Sequence, residues 1–209
     1  MVNLRIDAAE PDQALVARAA AILRAGGIVA YPTDTFYALA ANPASVAAIL
    51  QLYRIKGRQV DQAIPLIAAN VEQLEACAGK LEGLARTLVE RFWPGPLTIV
   101  IPAWDGLVDA VHAGTGTVAV RVPAHPVARA LAAACGWPIT STSANRSGDP
   151  ALATPEAVRL ALGPDLDALI DGGTSPGGQS STIVDVTGRE PRLVRAGAVP
   201  WDRVLECLQ

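Results

Sequence analysis

The chain has 209 residues, 51% hydrophobic and 18% charged, with 17 Lys and Arg against 20 Asp and Glu. That length is enough for one domain whose core needs no disulfide or metal staple. A formal net charge of −3 excludes a globally basic nucleic-acid binder, so any anion site must be a local cluster.

Cys77, Cys135 and Cys207 share no close spacing, and the only histidines are His112 and His125. The set is too sparse for a structural zinc site and suits a reducing compartment. Met1 to Glu10 lacks the basic start and apolar core of a signal peptide. No apolar run approaches the ~18 residues of a membrane span. These features predict a cytoplasmic protein without membrane contact.

Pro11 opens a predicted helix with Leu15, Ala19, Ile22 and Leu23 on one face, stopped by Gly26 and Gly27. Ile28 to Tyr31 reads as a short buried strand running into the polar loop Pro32-Thr-Asp-Thr35. A helix from about Pro43 to Gly57 places Val46, Ile49, Leu50 and Tyr53 on a buried face. Ile64 to Ala68 reads as an edge strand because Pro65 lacks an N–H. Helices are predicted over 71–78 and 81–92, the second broken by Pro94-Gly-Pro96.

Leu97 to Ile101 and Thr117 to Val122 are β-branched strands. An Ala-rich helix over 125–135 ends at Gly136, and Pro138 to Thr140 leads into the polar run Ser141-Thr-Ser-Ala-Asn145. Thr154 and Pro155 start the next helix, with Thr as cap and Pro at the first helical position. Ala168 to Ile170 is a strand before a Gly-rich loop, and 182–186 with 192–194 read as a hairpin. A helix over about 200–208 closes the series. The alternation predicts an α/β fold without internal linker.

Several polar clusters follow short strands, where ligand crevices lie in open α/β sheets. Lys56, Arg58, Arg121 and Arg195, with the hydroxyls and amides of Pro32–Thr35, Ser141–Asn145 and Ser180–Thr182, suit a phosphate-rich ligand. Each also has an ordinary reading: a solvated helix end for Lys56 and Arg58, turn chemistry around Asp34 and in Ser141–Asn145, and a surface strand end for Arg195. Walker and Rossmann patterns are absent. Gly173-Thr-Ser175-Pro-Gly177 matches a nucleophile elbow, but Pro176, Gly177 and Gly178 prevent the helix such an elbow needs.

Read in order, the loops resemble a known set: Gly27-Ile-Val-Ala-Tyr-Pro-Thr-Asp-Thr-Phe-Tyr37, Ile55-Lys-Gly-Arg58, Phe92-Trp-Pro-Gly-Pro-Leu-Thr98, Val118-Ala-Val-Arg-Val-Pro123, Ser141-Thr-Ser-Ala-Asn-Arg-Ser-Gly148, Ser181-Thr182 and Arg195-Ala-Gly197. Together they resemble the YrdC-like family of threonylcarbamoyl-AMP synthases over about 12–198. The resemblance implies a twisted, open, mixed α/β sheet with helices packed around a large concave cleft. It also implies that 1–209 is a single YrdC-like domain of the short form.

The implied reaction joins L-threonine, bicarbonate and ATP, with Mg²⁺ on the phosphates, into threonylcarbamoyl-AMP and pyrophosphate. The product then goes to tRNA threonylcarbamoyl transferase proteins that modify adenosine 37. By matching position, Lys56, Arg58, Ser143 and Asn145 are the implied catalytic set. Thr33, Arg121 and Ser181 are implied to bind threonine. Lys56, Arg58, Ser141, Ser143, Asn145 and Arg195 are implied to bind ATP, with no metal ligand from protein side chains.

Tyr37-Ala-Leu-Ala40 stands where the family usually has Tyr-Gly-Leu-Gly, and Gln59 stands where it has proline. Leu66 to Ala69 lacks a histidine that some members carry nearby. If those glycines serve a positive φ, alanine narrows the backbone's options. A second reading is a non-catalytic paralogue, regulatory or binding double-stranded RNA, although 4% aromatic residues leave few stacking platforms. A third is carbamoyl-adenylate chemistry for another acceptor, as in the related domain of hydrogenase maturation factors, whose chains are longer and carry cysteine-rich segments.

Overall fold

The computed structural model describes residues 1–209. In chain order the elements are β1 (Val2–Arg5), α1 (Gln13–Arg24), β2 (Val29–Tyr31), β3 (Ala38–Ala40), α2 (Val46–Lys56) and β4 (Leu66–Ile67). There follow α3 (Val71–Ala78), α4 (Gly83–Phe92), β5 (Leu97–Pro102), α5 (Asp109–His112), β6 (Thr117–Arg121) and α6 (Pro126–Cys135). The last group is β7 (Ile139–Thr140), β8 (Thr142–Ser143), α7 (Pro155–Leu162), β9 (Ala168–Asp171), β10 (Thr182–Asp185), β11 (Arg192–Arg195) and α8 (Trp201–Cys207).

The strands form two mixed sheets, ordered β1-β9-β2-β3-β8 and β11-β10-β5-β6-β4-β7. Consecutive strands β7 and β8 belong to different sheets, and only Ser141 separates them. Thr140 helps join the sheets there. Its buried hydroxyl accepts from Ala41 N–H at 2.7 Å and donates to the Leu39 carbonyl at 3.1 Å. The Ser141–Asn145 run is thus a crossing between sheets, not only a turn.

Local chemistry explains most helix ends. Asp12 caps α1 by accepting from Ala14 N and Leu15 N, Ser45 caps α2, and Thr154 caps α7. Gly57 ends α2 at φ 62, the left-handed turn that a glycine makes without strain. One apolar cluster packs α1 and α6 on the first sheet through Val16, Leu23, Leu131 and Ile170. The other fills the space between α2, α4 and the second sheet through Ile49, Leu52, Leu88, Ile99 and Val120. Each such side chain contributes roughly 1.5–3 kcal/mol by burial.

Five expectations are corrected. β1 forms from a stretch for which no element is predicted, pairing in parallel with β9 through Leu4 and Ile170. β3 was not expected; it is an extended strand between β2 and β8. Because Ala38 and Ala40 are extended, neither needs a positive φ, and the only non-glycine residue with one is Ala113. β4 is interior, between β6 and β7, because Pro65 precedes the paired residues and its carbonyl accepts from Ser141 N–H at 2.7 Å. The buried face of α2 is rotated: Val46 and Leu50 are 58% and 37% exposed, while Ala48, Leu52, Ile55 and Lys56 face inward. On α1, Val16 and Ala20 are buried while Leu15 and Ile22 are only partly covered.

Candidate active site

A cavity of about 550 Å³ lies between the two sheets, a volume typical of small-molecule sites. Thr33, Tyr37 and Ala38 wall it from the first sheet's side, and Thr98, Arg121 and Ile183 from the second. Arg58, Ser141, Ser143, Ser181 and Arg195 also belong to its polar lining.

The loop between β2 and β3 is built on Thr33. Its hydroxyl donates to the Phe36 carbonyl at 2.7 Å and accepts from Thr35 N–H at 3.2 Å. That turn aims Asp34 at the second sheet, where Arg121 Nη1 donates to Asp34 Oδ1 at 2.7 Å. The other carboxylate oxygen accepts from Ala124 N–H at 3.4 Å. Arg121, on β6, is 6% exposed and faces the cleft. Asp34 is the residue whose importance sequence reasoning missed, because it reads as turn chemistry.

At the end of α2, Lys56 turns inward and is 3% exposed. Its ammonium donates to Ser143 O at 2.6 Å, Asn145 Oδ1 at 2.6 Å and Ser143 Oγ at 3.3 Å. Ser143 Oγ donates to Asn145 Oδ1 at 2.5 Å, and Asn145 Nδ2 donates to the Asp149 carbonyl at 2.5 Å. The structure therefore brings Lys56 together with Ser143 and Asn145, 87 and 89 residues away in sequence. Only Ser143 of the three stands on the cleft wall; Lys56 and Asn145 lie behind it. Burial, and then the charge of Arg58, lowers the Lys56 pKa to about 8.

Arg58 follows Gly57 into the cleft, its guanidinium carbon 5.1 Å from the centroid of the Tyr53 ring. Its Nε and Nη2 are buried without a partner. On the far wall, Thr98 Oγ1 donates to Ser181 Oγ at 2.8 Å. Arg195 Nη2 and Nε donate to the Ser181 carbonyl at 2.8 and 3.2 Å. Partial burial and then the charge of Arg121 lower the Arg195 pKa. Ser141 joins the lining from the crossing between sheets. Thr98 and Thr117 are further lining residues not singled out from sequence; for Thr98 the signal was a threonine interrupting an apolar strand.

The charges are distributed unequally. Arg121 has a carboxylate partner, whereas Lys56, Arg58 and Arg195 have none within 4.0 Å. Ser175, at the elbow-like motif, is buried and is not on the cleft wall.

The α/β fold thus carries a polar, cation-bearing cleft between two sheets, suited in size and charge to a small anionic ligand. The Sua5/YciO/YrdC family model, described as telomere recombination, matches residues 21–197, and the chain belongs to that family. It is 39% identical over 190 residues to the threonylcarbamoyl-AMP synthase of Bacillus subtilis, covering 90% of this chain. With that of Nitrosococcus oceani it is 38% identical over 177 residues, covering 85% of this chain and 95% of the relative. Sua5 of Pyrococcus abyssi in complex with L-threonine superposes with a TM-score of 0.91 at 35% identity, covering 99% of this chain and 60% of that one. The chain spans 55% of the length of the B. subtilis relative. No helix is long and apolar enough to cross a membrane.

Proposed function

We propose that this chain is a threonylcarbamoyl-AMP synthase working in the cytoplasm. It joins L-threonine, bicarbonate and ATP, releases pyrophosphate, and supplies the product to the proteins that transfer it to adenosine 37 of tRNA. The observation that carries this reading is the gathering of Lys56, Arg58 and Arg195, all without carboxylate partners, around a cleft whose other two arginines, Arg121 and Arg192, are already paired with Asp34 and Asp185. Unneutralised cations suit a polyphosphate. The names of the relatives and the threonine in the P. abyssi complex support the choice of substrates.

The chemistry needs little from the protein beyond positioning and charge. The threonine ammonium and bicarbonate give a carbamate, water and one proton. The carbamate oxygen then attacks the α-phosphorus of ATP, and the bond to the bridging oxygen breaks to release pyrophosphate. A carbamate is already ionised at pH 7, so its attack needs no general base. The protein must hold two anions together and stabilise charge on the phosphates. Arg58 and Arg195 serve that role from the walls, and Lys56 adds its charge from behind Ser143.

Thr33, Arg121 and Ser181 are assigned to the amino acid, with Arg121 meeting its carboxylate. Ser141, Ser143 and Asn145 are assigned to the nucleotide, Asn145 by way of Ser143 in the arrangement seen. Mg²⁺ is assigned to the phosphates of ATP. When bound it neutralises phosphate charge.

The test is pyrophosphate release. It should require threonine and bicarbonate together and fall below detection in Arg58→Ala. Release that ignores threonine argues against the assignment. Salt-sensitive RNA binding without turnover would favour the non-catalytic reading.

A further inference from the structure

Tyr53 sits on α2 three residues before Lys56, buried among apolar side chains. Its ring face carries the Arg58 guanidinium at 5.1 Å. Its hydroxyl lies 2.6 Å from the Gln62 carbonyl oxygen and 2.8 Å from that of Ala110. One hydroxyl proton therefore serves two acceptors, one in the segment after Arg58 and one in α5. The Tyr53 carbonyl also accepts from Arg58 N–H at 3.2 Å. A single side chain thus touches the guanidinium and pins the loop that presents it.

An arginine is held either by its edge or by its face. Arg121 is held by its edge: Asp34 engages Nη1 and neutralises the charge. Arg58 is held by its face, and no carboxylate within 4.0 Å cancels its charge. Two of its nitrogens are nevertheless buried and unpaired. Unpaired buried donors are costly, and oxygen atoms of a ligand relieve that cost. A face-held guanidinium also keeps the planar fork that phosphate oxygens match.

We propose that Tyr53 is a positioning residue for polyphosphate binding: its ring seats Arg58 by the face, and its hydroxyl fixes the 57–63 loop over the cleft. The proposal rests on the reading of the ligand as ATP. Burial lowers the Arg58 pKa, and the neighbouring Tyr53 opposes that shift, consistent with a seat that keeps the guanidinium charged.

The test uses calorimetric affinities for ATP, inorganic pyrophosphate and threonine. Tyr53→Leu should weaken ATP and pyrophosphate binding about three- to thirtyfold, the range of a partly desolvated cation–π contact. Threonine affinity should not change. In an Arg58→Ala background the same substitution should cost no further affinity. Equal losses in both backgrounds, or threonine affinity falling in step with ATP affinity, would overturn the proposal.

Tyr53→Phe keeps the ring and removes the hydroxyl. It should speed hydrogen exchange of the 58–63 amides in the free protein, and unchanged exchange there would also overturn the proposal. That measurement stands if Tyr53→Leu does not fold. Wild-type protein with no affinity for ATP or pyrophosphate overturns the functional reading instead, and the exchange result then judges the seat by itself.

Discussion

Asp34 and Arg121 meet at 2.7 Å across the gap between the two sheets. One comes from the loop after β2, the other from β6, and both are largely buried, at 15% and 7% side-chain exposure. The contact offsets the charge of one of the cleft's arginines. Removing one partner of such a pair leaves an uncompensated buried charge, which costs roughly 3–5 kcal/mol. Asp34→Ala should lose stability of that order in urea unfolding. Its threonine KM should rise more than its ATP KM, since Arg121 loses its orientation.

The pH response should follow Lys56. Its pKa falls from 10.5 to about 8, chiefly by burial. Between those values the unfolded chain holds a proton that the folded chain has released, so stability rises with pH across this window. The contribution is lost as pH falls through about 8. Comparing wild type with Lys56→Met in chemical unfolding from pH 7 to 10 should show that slope in the wild type only. A bound polyanion favours the charged ammonium, so ATP binding at pH 8.5 should take up protons. Calorimetry in two buffers of different ionisation heat measures that uptake, and Lys56→Met should lack this component.

Gly197 holds the end of β11 against the strand beside it. A Cβ there would lie 2.3 Å from Ser180 O and 2.6 Å from Ser181 C and Thr182 N, all backbone atoms. Gly197→Ala must therefore push Arg195 away from Ser181. Overpacking of this kind costs about 1–3 kcal/mol. The variant should show a lower thermal midpoint together with a raised ATP KM.

Arg195→Ala should separate binding from stability. The side chain is partly exposed and bonds only to Ser181, so unfolding should change by no more than about 0.5 kcal/mol. ATP affinity should fall roughly tenfold or more, the scale of one charge-assisted hydrogen bond. A large stability loss with unchanged affinity would make Arg195 structural.

Where the chain carries its own punctuation, the fold is legible in sequence. Thr154-Pro155, Gly57, Gly136 and the 182–194 hairpin fall where turn and cap chemistry put them. β3 is hidden because alanine has little strand preference, and its extended shape comes from pairing with β2 and β8. β1 is hidden by brevity. The division into two sheets depends on β7 and β8 parting at Ser141, which no local signal marks.

The candidate site is legible as an inventory of polar loops but not as geometry. Lys56 reads as a solvated helix end and proves to be buried, because the 143–149 segment folds over the end of α2, with Ser147 N–H donating to the Lys56 carbonyl at 2.8 Å. Asp34 reads as part of a turn because its partner is 87 residues away.

The most direct measurement is the product itself. The purified protein is mixed with ATP, Mg²⁺, bicarbonate and each amino acid in turn, and the mixture is searched by mass spectrometry for a carbamoyl-adenylate. The expected result is threonylcarbamoyl-AMP with threonine and none without bicarbonate. A carbamoyl-adenylate formed only with another amino acid would contradict the assigned substrate. Bound ATP with no adenylate from any amino acid would contradict the assigned activity.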